Sequence, residues 1–392
     1  MAQYDFDRVL DRRNTNSLKY DFTAENNRPA DVLPLWVADM DFRAPEPVLE
    51  ALRQRVNHGI FGYSDVKEDY FQAVANWFRT RYQFDPKPEW LVKTPGVVHA
   101  LATAVRTLTG PGDQVLIQPP VYYPFFSVVT DNGRRLVEAP LSYEDGSYRI
   151  DFDAFESLLR VERPKLFLLC SPHNPVGRVW TPDELARLLE LCTAYDTLIV
   201  SDEIHADFVR PGITQTSLAS LRSDGQTEVI TCTSASKTFN LAGLQVANIV
   251  IPNERLRYRF RDAMFSSGYS QVNTLGLEAT RAAYTYGEPW LEQLLSYLEG
   301  NWQLLEECLD EADGLFSLIR AEGTYLAWID CRNLGLDPHA LERFVEDEAG
   351  LWLDCGHMFG KPGEGFIRIN IATQRAYLQR AVTQLVQAAK RR

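Results

Sequence analysis

Two textures of hydrophobic patterning alternate along this chain. Short apolar runs at Leu166–Cys170, Thr197–Ser201, Glu228–Thr233 and Val246–Ile251 are each bounded by small, polar or charged residues. Runs of that kind read as strands covered on both faces, the mark of a parallel sheet. Elsewhere the period is that of a helix. Val48, Leu52 and Val56 share one face of Pro45–Val56, and Val66, Tyr70, Val74, Trp77 and Phe78 form a stripe over Val66–Tyr82, with Asp65 and Glu68 at capping-box spacing. Thr181-Pro182-Asp183-Glu184 has the same spacing plus a proline at the first helical position. Further helical patterns cover Asn253–Met264, Thr274–Tyr284 and Glu288–Ala312.

From about Leu315 the texture changes. Two strand-like runs, Tyr325–Asp330 and Gly365–Ile371, alternate with helices over Pro338–Glu348 and Gln374–Lys390. The expectation is an α/β fold, a mostly parallel central sheet covered by helices, with a smaller α+β unit. The division is an irregular arm over 1–44, a large unit over 45–285 and a small unit over 286–392 that the arm joins.

Composition narrows the function classes. The 392 residues are 45% hydrophobic and carry a net charge of -13, with Lys390-Arg391-Arg392 as the sole basic cluster. That balance argues against nucleic acid and anionic membrane as partners. No apolar run is long enough to span a bilayer, and Met1 to Asp21 lacks the apolar core of a signal peptide. The six cysteines form no C-x-x-C pair, which fits reduced thiols in a cytoplasmic protein and no metal site.

Chemistry gathers where strands end. Lys237 follows the run ending at Thr233, through Ser234-Ala235-Ser236, and burial there lowers a lysine pKa toward that of a nucleophilic amine. Asp202 follows Ser201, Asn174 follows Cys170 through Ser171-Pro172-His173, and Tyr122 follows the run Gln114–Gln118. Asn174–Pro175 is a candidate cis bond. Four such junctions offer an amine, an anion, an amide and a ring platform at the edge where open α/β sheets bind ligands. Gly96 precedes a helix start, where free N–H groups suit an anion. Ala38 lies in the apolar run Leu33–Phe42, small enough to let a ligand approach the backbone. Arg368 sits inside the apolar Phe366–Asn370 and needs an anionic partner, either an internal acid or a substrate carboxylate.

Taken in order, Trp-Val-Ala-Asp-Met-Asp-Phe, Ser-Pro-His-Asn-Pro-Val-Gly, Asp-Glu-Ile-His and Ser-Ala-Ser-Lys-Thr-Phe-Asn-Leu-Ala-Gly-Leu-Gln resemble the fold-type I pyridoxal-phosphate enzymes. The similarity is greatest to their cystathionine β-lyase/C–S lyase branch, which includes the maltose-regulon modulator type. The resemblance implies pyridoxal 5'-phosphate as cofactor, bound by the large unit, and a homodimer with sites at the interface. It makes Lys237 the Schiff-base lysine, Asp202 the acid at the pyridine nitrogen and Tyr122 the stacked ring. Asn174 would face the phenolic oxygen, Gly96, Val97, Val98 and Ser234 would hold the phosphate, and His205 and Ser236 would also bind the cofactor. Tyr63 would come from the partner subunit, and Ala38, Asn174 and Arg368 would bind substrate. Gln245 stands where many aminotransferases have a phosphate-binding arginine. With His205 in place of the usual tyrosine, this favours α,β-elimination on cystathionine or a related cysteine S-conjugate. Aminotransfer is the alternative, and a regulatory protein retaining the fold is a second.

Overall fold

The computed structural model describes residues 4–222 and 228–392, so the first three residues of the arm lie outside the described residues. Seven strands form the main sheet: β1 (Leu91–Thr94), β2 (Gln114–Ile117), β3 (Arg135–Glu138), β4 (Leu166–Cys170), β5 (Leu198–Asp202), β6 (Val229–Thr233) and β7 (Ala247–Val250). Their spatial order is β1-β7-β6-β5-β4-β2-β3. The run from β6 to β3 is parallel, and β7 is antiparallel to both its neighbours.

The apolar runs are continuous because both faces of the sheet are covered. Alternate residues belong to different cores. Leu166, Leu168, Val200 and Ile230 pack with Val97, Ala100, Leu101 and Ala104 of helix α1 (Val97–Leu108) on one face. Phe167, Leu169, Ile199 and Val229 pack with Leu185, Leu188 and Leu189 of the helix Pro182–Ala194 on the other. That helix begins with the reciprocal capping box expected at Thr181 and Glu184.

A second sheet of four antiparallel strands runs Ser317–Leu318, Leu326–Asp330, Phe366–Asn370, Asp354–Cys355. The arm joins this region: Leu33–Pro34 pairs with Leu351–Trp352. Beyond Leu35, which still bonds to the Trp352 carbonyl and the Asn370 N–H through its backbone, the run expected as strand-like leaves sheet pairing, and its carbonyls are taken by side chains instead. Two other expectations are corrected. Asp65 caps no helix, because its carboxylate accepts from the Val66 N–H and pairs with Lys93, while the helix Glu68–Tyr82 starts after Lys67 without a side-chain cap. The pattern over Pro338–Glu348 is α-helical only to Arg343 and continues as a π turn over Phe344–Glu348. Among the described residues no helix is long and apolar enough to cross a membrane.

Candidate active site

The register of the main sheet brings the chemistry together. Cys170 is level with Asp202, and Asp202 with Cys232, so β4, β5 and β6 end side by side. Asp202 is itself the last residue of β5. The segments leaving these carboxyl ends wall one cavity of about 240 Å3, lined by Tyr122, Cys170, Asn174, Asp202, His205 and Lys237 among others. The Asn174–Pro175 bond is cis.

Lys237 projects from a single helical turn, α2 (Ala235–Thr238), which starts directly after β6. Two side chains fix that turn. The Ser234 hydroxyl accepts from the Ser236 N–H at 3.0 Å and donates to the Val246 carbonyl at 2.6 Å. The Thr238 hydroxyl donates to the buried Asp207 at 2.6 Å. Lys237 Nζ donates to the Ala38 carbonyl at 2.7 Å. Burial lowers its pKa to about 8, and Arg368 adds to the effect while Asp39 and Asp202 oppose it. An amine in that range is still mostly protonated at pH 7 but offers a far larger share of free base or nucleophile than an ordinary lysine.

Asp202 is buried, and burial raises its pKa to about 7 against the Ile204 N–H and Lys237, which favour the anion. The Ile204 N–H donates to Oδ1 at 3.1 Å. His205 is also buried, and burial, Lys237 and Arg368 together hold its ring neutral. Its Nδ1 has no hydrogen-bond partner among the described residues, and the residue lines the cavity. Burial likewise raises the Tyr122 phenol, keeping it protonated.

A helix start suited to an anion also lines the cavity. Gly96 precedes α1 with φ +119° and ψ 163°, a conformation essentially restricted to glycine. A Cβ there would meet nothing within 4 Å, so conformation rather than crowding demands the glycine. The Ala100 N–H is the first to close onto the Gly96 carbonyl, which leaves the N–H groups of Val97, Val98 and His99 outside the α1 ladder. Ser236 and Gln245 line the same cavity. Ser234, expected to share in the cradle, does not line the cavity; its hydroxyl is used within α2.

Arg368 sits just behind Asn174 rather than in the cavity wall. It is 2% exposed, pairs with the buried Asp354, and donates to the Trp36 carbonyl at 2.9 Å and to Asn174 Oδ1 at 3.0 Å. The internal ion pair, one of its two expected fates, is thus present, while its Nε remains without a partner among the described residues. Tyr63 is 98% exposed and does not line the cavity of its own chain. Sequence reasoning passed over Asp354 and Tyr325. The signal for Asp354 was an acid inside the apolar Leu351–Cys355, opposite Arg368 in the register. Tyr325 opens a strand-like run and gave no sign of a polar role.

The family described as aminotransferase class I and II matches residues 30–385. Cystathionine beta-lyase PatB of Bacillus subtilis is 41% identical over 374 residues, covering 95% of this chain and 97% of that protein. Among solved structures, cystalysin from Treponema denticola, which contains a pyridoxal 5'-phosphate cofactor, superposes with a TM-score of 0.96 at 37% identity and covers all of both chains. The pyridoxal-phosphate-bound C–S lyase from Staphylococcus hominis gives 0.93 at 35% identity, covering 99% of this chain and 98% of that one.

Proposed function

The chain belongs to the class I and II aminotransferase family, and we propose that within it the protein is a pyridoxal-phosphate-dependent C–S lyase of the cystathionine β-lyase type. Its reaction takes a cysteine S-conjugate such as cystathionine to a thiol, pyruvate and ammonia. The observation that carries this reading is the meeting of the Lys237 amine, the Asp202 carboxyl and the α1 N-terminus around one cavity. The residues present fit the cofactor. An amine is available for its aldehyde, a buried acid for its ring nitrogen, the Asn174 amide and the neutral His205 ring for a polar substituent, and free N–H groups for its phosphate.

When bound, pyridoxal phosphate supplies an electron sink for the pair left at the substrate's Cα. The residues of this chain do the rest. Asp202, as the anion, would keep the ring nitrogen protonated, and contact with that cation would offset the cost of burial that holds its own proton on. Tyr122, which lines the same cavity, would lie against the ring. Neutral donors at Val97, Val98, Ser236 and Gln245 hold the phosphate, since the arginine seen in many relatives is absent here. Arg368 and Asn174 orient the α-carboxylate. Lys237 Nζ removes the Cα proton, its pKa of about 8 matching the working pH, and the thiolate then leaves from Cβ.

In this reading the arm and residues 286–392 form the smaller unit that closes over the site. A homodimer brings Tyr63 to the partner's cavity, which accounts for its exposure, and the enzyme works in the cytoplasm. The test is pyruvate and thiol release from cystathionine by the cofactor-loaded protein with no keto acid added. Turnover that requires a keto acid would replace elimination with aminotransfer.

A further inference from the structure

Every carbonyl from Trp36 to Phe42 accepts a side-chain hydrogen bond. Arg368 takes Trp36; Asn370 takes Val37 and Asp39, both at 2.6 Å; Asn240 takes Met40 and Phe42; and Gln374 takes Asp41. The segment is therefore a rigid row of acceptors, fixed without strand pairing. Ala38 is the exception within the row, because one of its donors must leave. Lys237 Nζ donates to it at 2.7 Å and has to abandon it to reach a cofactor aldehyde. The second donor is the Tyr325 hydroxyl, at 2.9 Å.

Tyr325 is fully buried and well held. Its carbonyl accepts from the Ile371 N–H at 3.0 Å, and its ring packs edge-on against His205 at 5.6 Å and Phe208 at 4.7 Å. A carbonyl oxygen has two lone pairs, so one donor can stay while the other comes and goes. Resting on the functional reading above, we infer that Tyr325 is a positioning residue: its hydroxyl keeps the Ala38 carbonyl aimed so that the freed Lys237 amine returns to one fixed place, beside the substrate's Cα proton.

The probe is Tyr325→Phe, which deletes one oxygen from a buried ring and leaves its packing. Pyridoxal phosphate uptake by the cofactor-free full chain is followed by visible absorbance, and turnover is measured with ordinary and Cα-deuterated cystathionine. A net hydrogen bond corresponds to an effect of about 3- to 10-fold. The expectation is uptake slowed by that factor to the same final stoichiometry, kcat reduced similarly with KM unchanged, and a larger deuterium effect on kcat. A variant matching wild type in uptake and kcat overturns the inference. So does one that loses stoichiometry, KM and thermal stability together, which would make Tyr325 merely structural. Wild-type chain that takes up no cofactor removes the functional reading itself, and this inference with it.

Discussion

Asp202 should cost the cofactor-free protein stability, and replacing it by asparagine should return that stability while destroying function. The carboxyl is buried and its pKa rises from 3.8 to about 7. Between those values the unfolded chain has released this proton and the folded chain has not. Stability therefore falls as pH rises from about 4 to 7 and stays low above it. At about 1.4 kcal/mol per pH unit the difference approaches roughly 4 kcal/mol, and relaxation around the site makes about 2–4 kcal/mol the working range. Asp202→Asn removes the titration and preserves shape. Urea unfolding of both cofactor-free chains from pH 4 to pH 8 should give curves that converge near pH 4 and separate above it, with the variant more stable. Glu203, also buried and raised to about 7, contributes a slope of the same sign to both proteins, and because the Asp202 charge helps to raise it, its share shrinks in the variant and adds to the separation of the curves. The same variant lacks an anion for the ring nitrogen and should lose activity by orders of magnitude. A variant no more stable than wild type at pH 8, with an unchanged pH slope, would refute the burial argument.

Three further outcomes follow from the same geometry. Asp354→Ala leaves Arg368 buried without its acid and should destabilise the protein by about 3–5 kcal/mol, read as a lower urea midpoint. Gly96→Ala forces a side chain into a backbone conformation essentially closed to it, and should cost about 1–3 kcal/mol while weakening pyridoxal phosphate binding, measured by fluorescence titration. In wild-type cofactor-free chain, the initial rate of cofactor uptake should climb with pH and level off above about 8, as the Lys237 ammonium gives up its proton.

The main sheet was legible because its strands are buried on both faces, a condition that writes itself as unbroken apolar runs. Leu166–Cys170 came out residue for residue. The four site residues were legible for a related reason: an open parallel sheet presents its chemistry where strands end, and Tyr122, Asn174, Asp202 and Lys237 each follow or end an apolar run. Contacts set by tertiary partners were hidden. Nothing local says that the run after Leu35 would satisfy its carbonyls with the side chains of Asn240, Asn370 and Gln374, residues some two hundred or more positions away. Ser234 illustrates a competition that spacing cannot resolve. Its hydroxyl could face a phosphate or cap its own short helix, and here it caps. Asp65 shows the converse, where a cap motif lost its acid to the Val66 N–H and Lys93.

The central claim is that Lys237 holds pyridoxal phosphate covalently in this cavity. Borohydride treatment of the loaded protein, followed by proteolysis and mass spectrometry, addresses it directly. The account predicts one pyridoxyl-phosphate adduct per chain, on Lys237, with loss of the visible absorbance. An adduct on a different lysine, or loaded protein that yields none, would contradict it.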